Sequence, residues 1–186
     1  MGKLIFISGG INSGKSYFAE ELCTKLGGRT LYIATSIAFD EEMKEKKERH
    51  IKRRSSKNWD TLECYSGIYS RMESINEKYD TVILDCVTMM VSNLIFENDV
   101  DFDASDKKNA RKKELYIEEE VKKLIEKIRL YNINFIAVTN EIGLGGISEN
   151  RLTRYFTSVC GNVNQLIAGE SDEAYAVISG IPVKIK

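Results

Sequence analysis

The sequence predicts an α/β fold in which a largely parallel central sheet is flanked by helices. Short apolar runs that resemble buried strands alternate with longer amphipathic stretches along the chain, as parallel sheets require. The first apolar run, residues 4–7, is followed by Gly9-Gly10-Ile11-Asn12-Ser13-Gly14-Lys15-Ser16 and then by a helical pattern. Strand, glycine-rich turn and helix therefore form the first unit, and the later units follow the same order.

The composition is that of a folded protein with one sizeable core. The chain has 186 residues, of which 42% are hydrophobic and 30% charged, with a single proline, so we expect one domain over residues 1–186. A formal net charge of −1 argues against a general binder of nucleic acid or of anionic membranes. No apolar run reaches membrane-spanning length and no signal-peptide pattern is present, so we expect a cytoplasmic protein without an integral membrane segment.

The glycine-rich turn fits the pattern G-x-x-x-x-G-K-[ST], which is that of a phosphate-binding P-loop. Its glycines allow backbone N–H groups to surround a polyphosphate, while Lys15 can reach the β and γ oxygens and the Ser16 hydroxyl can face Mg²⁺. The motif lies between a strand and a helix, as the mechanism requires, so a chance glycine turn is the weaker interpretation. We therefore predict a P-loop NTPase-like fold that binds a nucleoside triphosphate with Mg²⁺.

The periodicity of the remaining chain predicts its other elements. In the first helix, the apolar stripe is expected at Phe18, Leu22 and Leu26, and Gly27 and Gly28 should end the helix. Further strands are expected at residues 30–34, 59–63, 81–85 and 135–138, with a closing hairpin at 174–178 and 180–185. Helices are expected at residues 67–79, 89–96, 107–131 and 149–168, and a further one begins at Asp40 and leads into the basic stretch 44–57.

Two of these helices carry a specific burial pattern. The stripe of the long charged helix is expected to be Leu115, Val121, Leu124, Ile125 and Ile128. The last helix should bury Leu152, Phe156, Val159, Val163 and Ile167, with Gly169 beyond its end.

Polar residues follow several of the predicted strands. Ligands of doubly wound sheets bind beyond the carboxyl ends of the strands, so Thr35 and Ser36 could line a site, although an ordinary connecting loop is equally consistent. Asp85 ends an apolar strand in the manner of a Walker B carboxylate, which holds Mg²⁺ directly or through water. Alone it would more often be a turn residue, but the P-loop favours the metal role. The segment 139–146 is a second polar and glycine-rich strand end, either a substrate loop or a simple connector.

The motifs of switch GTPases are missing. Asp85 is followed by Cys86-Val87-Thr88 instead of D-x-x-G, and Thr139-Asn140-Glu141-Ile142 replaces N-K-x-D. A phosphotransferase or nucleotidyltransferase remains, with a non-catalytic nucleotide-binding module as the competing interpretation.

His50, the single histidine of the chain, lies in the basic stretch. Such a histidine is usually a solvated surface side chain. However, the like charges of Arg49, Lys52, Arg53 and Arg54 disfavour imidazolium and attract phosphates, and a neutral imidazole is a nucleophile.

With these residues, the chain resembles the bifunctional adenosylcobinamide kinase / adenosylcobinamide-phosphate guanylyltransferase family of cobalamin assembly. The matching stretches follow one another over nearly the whole chain: the P-loop, Leu31-Tyr32-Ile33-Ala34-Thr35-Ser36, Asp40-Glu41-Glu42-Met43 with His50, Asn58-Trp59, Leu84-Asp85-Cys86, Val138-Thr139-Asn140-Glu141-Ile142-Gly143, Glu149-Asn150-Arg151, and Ser179-Gly180-Ile181-Pro182-Val183-Lys184-Ile185-Lys186. Two departures are visible: Ile11-Asn12 stands where the family often has Ala-Arg, and Ser55-Ser56 with a longer spacing replaces Arg-Pro.

The resemblance implies two reactions and a set of site residues. ATP or GTP would phosphorylate the corrinoid substrate adenosylcobinamide, and GTP would then guanylylate a histidine, His50 by position, which passes GMP to adenosylcobinamide phosphate. His50 and Lys15 are the catalytic candidates, and Ser16 and Asp85 are the candidates for Mg²⁺. The candidate nucleotide-binding residues are Gly9, Gly10, Ile11, Asn12, Ser13, Gly14, Lys15, Ser16, Ala34, Thr35, Ser36, Ile51, Lys52, Arg53, Arg54, Glu63 and Asp85. A homo-oligomer, a trimer, is also implied by the resemblance alone. A P-loop kinase without guanylyltransferase activity, or a non-catalytic nucleotide-binding module, remains the alternative.

Overall fold

The computed structural model describes residues 2–36, 57–97 and 102–186. The predicted helix after Asp40 and the basic stretch that contains His50 therefore lie outside the described residues, apart from Lys57 at the end of that stretch.

The described strands form one seven-stranded sheet in the order β3-β2-β4-β5-β1-β6-β7. The strands are β1 (Leu4–Gly9), β2 (Thr30–Ala34), β3 (Asp60–Glu63), β4 (Thr81–Asp85), β5 (Asn134–Asn140), β6 (Glu173–Ile178) and β7 (Ile181–Lys184). All neighbouring pairs are parallel except β6 and β7, which form an antiparallel hairpin. The predicted α/β class, the largely parallel sheet and the C-terminal hairpin are thus confirmed.

Five α-helices are described: α1 (Lys15–Leu26), α2 (Ile68–Asn76), α3 (Val87–Phe96), α4 (Lys107–Leu130) and α5 (Arg151–Glu170). Two of them begin at side-chain caps, because the Asp106 carboxylate accepts bonds from the N–H groups of Lys108 and Asn109, and the Asn150 side chain accepts one from Thr153. The first helix ends at Gly27, whose φ of 72° lies in the left-handed region that glycine adopts readily.

The two faces of the sheet have separate cores. Alternate strand residues such as Leu4, Phe6 and Leu84 pack with the apolar sides of α2, α3, α4 and α5. The opposite residues, such as Ile5, Ile7 and Ile83, pack with Ala19 and Cys23 of α1. Among the described helices, α1 therefore covers the second face, and its first turn lies at the carboxyl end of β1.

Three details of the predicted helices are wrong. In the first helix Phe18 and Leu22 pack partly buried against the core beside the fully buried Ala19 and Cys23, whereas Leu26 is 37% exposed. Leu115 of α4 is 48% exposed, and Ala110 and Ile117 take its place in the buried stripe. The last helix continues through Gly169 to Glu170, and both of these residues are exposed.

Candidate nucleotide site

The phosphate loop joins the carboxyl end of β1 to the first turn of α1. Two of its residues have positive φ angles, 58° for Asn12 and 92° for Gly14, and the Ser13 N–H donates to the Gly10 carbonyl at 3.2 Å. Asn and Gly are the residues that occupy the left-handed region at least cost. Gly10, Ile11 and Asn12 are exposed, so the crest of the loop is open to a ligand.

Lys15 is buried to 8% exposure, and its ammonium donates to the Gly10 carbonyl at 3.0 Å. The cation is therefore held across the loop, on the side that encloses a phosphate in this motif. Ser16 follows as a half-buried residue in the same helical turn, where the positive end of the helix dipole also favours anions.

The C-terminal hairpin supports the loop from behind. The Gly180 N–H at the hairpin tip donates to the Ser13 carbonyl at 2.8 Å. A side chain on Gly14 would place its Cβ 3.2 Å from the Gly180 Cα, and one on Gly9 would place it 2.6 Å from the Val177 carbonyl oxygen. Contact with the hairpin therefore leaves little room for a side chain at either of these two glycines. This support was not predicted from the sequence, because it joins residues that are far apart in the chain.

Asp85 lies half-buried at the end of β4, on the α1 face of the sheet. Its Oδ2 atom accepts a hydrogen bond at 2.8 Å from the hydroxyl of Tyr32, a residue that is 4% exposed. One carboxylate oxygen is thereby oriented by the protein, and Oδ1 remains for a second partner. The Tyr32 contact was missed at the level of sequence because Tyr32 reads as an ordinary core residue of β2.

The donors near the loop fit Mg²⁺ better than a transition metal. Within residues 2–36, 57–97 and 102–186 no cluster of three His, Cys, Asp or Glu side chains could hold a metal ion. Mg²⁺ does not need one, because it keeps several waters and is bound by one or two protein oxygens together with substrate phosphates. The Ser16 hydroxyl and the Asp85 carboxylate are oxygen donors of that type.

Asp85 and Glu63 stand in one row across the sheet. In the strand register, Ala34 pairs with Asp85 on one side and with Glu63 on the other, and parallel neighbours direct paired side chains to the same face. With strands about 4.8 Å apart, the two carboxylate-bearing Cα atoms lie roughly 10 Å apart across the small Ala34 side chain. The register thus places Ala34, Glu63 and Asp85, three of the predicted nucleotide residues, at one end of one sheet face.

Thr35 forms its hydrogen bonds with other residues of the protein. Thr35 is 1% exposed. Its hydroxyl donates to the Cys86 carbonyl at 2.7 Å and accepts from the Cys86 N–H at 2.8 Å. The side-chain amide of Asn93 donates to the Thr35 carbonyl at 2.6 Å. These bonds hold the ends of β2 and β4 together, which fixes the positions of Ser36 and Asp85. The nucleotide contact predicted for Thr35 stays a prediction.

A second buried polar network holds the end of β5. The Thr139 hydroxyl donates to Asn164 of α5 at 2.8 Å and lies 3.1 Å from the Thr88 hydroxyl of α3, which also accepts from the Asn140 N–H. Polar residues in an apolar helix, such as Thr88 and Asn93, were the available signal for these networks, and sequence analysis passed over them. The networks keep the strand ends that form the site in register.

The cysteines near the site are not activated. Burial raises the pKa of the Cys86 thiol to about 12, and burial likewise raises the pKa of Cys23. Because the thiolate is the nucleophilic form, neither residue is suited to covalent catalysis at neutral pH.

His50 and the neighbouring Ile51, Lys52, Arg53 and Arg54 lie outside the described residues. Their predicted roles as nucleophile and nucleotide contacts stay predictions.

Comparison with known proteins identifies the family of this chain. Residues 5–185 match the model of the cobinamide kinase / cobinamide phosphate guanyltransferase family. The chain belongs to this family. It is 37% identical to the bifunctional adenosylcobalamin biosynthesis protein CobU of Salmonella typhimurium, over 98% of this chain and 99% of that protein. It shares the same 37% identity and coverage with CobU of Escherichia coli, and it is 29% identical to CobP of Pseudomonas aeruginosa over 97% of this chain and 95% of that protein.

The resemblance inferred from the motifs is therefore confirmed, and with it the assignment to a family of bifunctional kinases and guanylyltransferases that use nucleotide substrates. In the described ranges, every helix is too short or too polar to cross a membrane.

Proposed function

We propose that this chain phosphorylates adenosylcobinamide with a nucleoside triphosphate and then converts the product to adenosylcobinamide-GDP with GTP. The observation that carries the proposal is the phosphate loop with its buried Lys15, together with Asp85 at the end of β4, in a chain that matches the cobinamide kinase / guanyltransferase family over residues 5–185. The corrinoid substrate is taken from the family's name.

In the kinase reaction, the residues of the loop act by holding and neutralising phosphates. Lys15 binds the β and γ oxygens, the loop N–H groups surround the polyphosphate, and the primary task of the protein is to bring the substrate hydroxyl in line with the γ phosphorus. Bound Mg²⁺ would be held by Ser16 and Asp85 and would supply charge neutralisation at the phosphates.

In the guanylyltransferase reaction, His50 acts as the nucleophile. A ring nitrogen of neutral His50 attacks the α phosphorus of GTP, the bond to the β phosphate breaks, and pyrophosphate leaves. A phosphate oxygen of adenosylcobinamide phosphate then attacks the same phosphorus, and the P–N bond breaks to return the imidazole. Dividing the transfer into two displacements is the benefit of covalent catalysis. Glu63, Ala34 and the segment 51–54 are the proposed nucleotide contacts for this step.

A labelling experiment tests the proposal. The protein is incubated with Mg²⁺ and α-³²P-GTP, denatured and treated with acid or base. We expect a covalent label that is labile in acid and stable in base, that is lost in His50→Ala, and that is discharged by adenosylcobinamide phosphate. Active kinase without any label would instead support a kinase without guanylyltransferase activity, and nucleotide binding without turnover would support a non-catalytic module.

We further propose a single domain over residues 1–186, a cytoplasmic location and a homo-oligomer, a trimer as the family resemblance implies. An exposed apolar surface on the C-terminal hairpin, formed by Ile178, Ile181, Val183 and Ile185, supports association with further copies. The mass of the assembly by sedimentation measures its stoichiometry, and a monomer at micromolar concentration would contradict it.

A further inference from the structure

The first helix carries a buried carboxylate that the proposed reactions do not use. Glu20 is 1% exposed and lies on α1, five residues after Lys15. Burial of an ionised carboxylate costs several kcal/mol unless a partner compensates for it. The stability of an ionised Glu20 therefore depends on which groups lie beside its carboxylate.

Among the described residues, Lys57 forms an ion pair with this carboxylate: its ammonium lies 3.5 Å from Glu20 Oε2, and its side chain is 26% exposed. The same ammonium is 4.7 Å from the centre of the Trp59 ring, within the range of a cation–π contact. Trp59 itself packs against the apolar core of the α1 face. Lys57 is thus held on two sides, by the phosphate-loop helix and by the residue that precedes β3.

The ion pair connects the phosphate-loop helix to the chain that follows the basic stretch. Lys57 is seven residues from His50 in the chain, and Glu20 is part of the helix whose first turn contains Lys15 and Ser16. We propose that Glu20 and Lys57 are positioning residues for guanylyl transfer: their ion pair holds Lys57, through which the chain that contains His50 leads into β3, against the helix of the phosphate loop. This inference rests on the proposed function, and specifically on His50 as nucleophile.

A second group of the same composition provides the contrast. Lys184 lies 3.4 Å from Glu173 and 5.9 Å from the centre of the Tyr175 ring. Glu173 pairs with Ile5 in the register, near the start of the parallel strands, and neither Glu173 nor Lys184 lies on the phosphate-loop helix or next to the basic stretch. Lys184→Met therefore controls for the loss of a lysine beside a glutamate and an aromatic ring. Glu173 keeps a second ion pair with Lys3 at 2.6 Å, so the thermal unfolding of each variant is needed to separate lost stability from lost positioning.

The test measures the two reactions separately in Lys57→Met and Glu20→Gln, with Lys184→Met as the matched control. The rate of His50 labelling at saturating α-³²P-GTP is compared with the rate of cobinamide phosphorylation, and thermal unfolding of each variant is recorded. Displacement of a reacting group by about 1 Å can cost a factor of 100 in rate. We expect labelling to fall at least tenfold in both site variants, phosphorylation to stay within twofold, and Lys57→Arg to recover most of the labelling.

The double variant Glu20→Gln/Lys57→Met should label no more slowly than the worse single variant, because both changes remove one interaction. Labelling at the wild-type rate in folded Lys57→Met and Glu20→Gln, or an equal loss in Lys184→Met, would overturn the inference while leaving the histidine mechanism intact. A wild-type protein that binds GTP but never becomes labelled would overturn the proposed histidine mechanism, and this inference with it. Because Glu20→Gln keeps the size of the side chain and Lys57 is partly exposed, at least one variant remains folded for the measurement.

Discussion

The two faces of the sheet bury different kinds of side chains. The face covered by α2, α3, α4 and α5 is filled with apolar side chains, and its buried polar residues Thr88 and Asn164 lie near the site, where both are close to the Thr139 hydroxyl. The face covered by α1 has a smaller apolar core, and Lys15, Glu20 and Tyr32 are buried beside it. Each of these three has a specific polar partner. One face therefore provides stability through packing, and the other holds charges in place for chemistry.

The largest expected effect tests the packing face. Met72 of α2 is fully buried there, so Met72→Ala should lower the free energy of unfolding by about 2–5 kcal/mol, from the lost burial and the cavity. Urea unfolding measures this loss, and the KM for nucleotide in the kinase assay should be unchanged.

The matched change on the other face, Lys15→Met, should lower phosphoryl transfer by about 100-fold or more with a smaller loss of stability, since it removes charge stabilisation. If both variants lost activity and stability in the same proportion, the division between the faces would be wrong.

A smaller effect is expected at the contact between Tyr32 and Asp85. Tyr32→Phe removes a hydrogen bond to a carboxylate without changing the packed ring, so Asp85 loses its fixed orientation. Binding of Mn²⁺ in the presence of a non-hydrolysable GTP analogue, followed by electron paramagnetic resonance, should weaken roughly tenfold, which corresponds to about 1.4 kcal/mol.

Tyr79→Phe is the control for this change, because the Tyr79 hydroxyl donates to Asp60 at 2.9 Å at the opposite end of β3. It should leave Mn²⁺ binding unchanged. Equal Mn²⁺ affinity in Tyr32→Phe and the wild type would remove Tyr32 from the metal site.

The smallest expected effect is that of Ser13→Ala, which should raise the stability of the free protein but lower its affinity for nucleotide. The Ser13 hydroxyl is buried, and no hydrogen-bond partner for it is found among the described residues, an arrangement that costs about 1–3 kcal/mol. Ser13→Ala should therefore stabilise the free protein by about 1 kcal/mol, yet weaken nucleotide binding a few-fold if the hydroxyl serves the phosphates. Differential scanning calorimetry and titration calorimetry measure the two quantities.

Ser171→Ala is the matched change away from the loop. The Ser171 hydroxyl donates to the Ala168 carbonyl at 2.8 Å, so its loss should destabilise the protein by about 1 kcal/mol without affecting nucleotide affinity. A Ser13→Ala variant that is destabilised in the same way would show that the hydroxyl has a structural partner.

Much of the fold follows from local sequence. The bounds of β2 and β4 were predicted to the residue, because a parallel strand buried on both faces is a continuous apolar run between polar ends. The phosphate loop was recognised because phosphate binding requires a fixed spacing of the glycines, Lys15 and Ser16, and this spacing is visible in the sequence. The contacts that organise the site were not predictable in this way: Tyr32 meets Asp85, and Glu20 meets Lys57, only once strand register and helix rotation are set. Leu115 shows the same limit, since an apolar residue on a charged helix is buried only if the helix turns it inward.

The position of β1 also determines when the protein can become active during its synthesis. Leu4 aligns with Phe135 and Ile5 with Glu173, so β1 is made more than 120 residues before either of its neighbours in the sheet. Pairings between such distant segments form slowly, because the entropy of closing the intervening chain is lost before the contacts are gained. A nascent chain therefore contains the complete P-loop sequence well before both neighbours of β1 have been made, and the hairpin tip that contacts Ser13 is made after them. The affinity for nucleotide arises at the close of folding, when the sheet around β1 is complete.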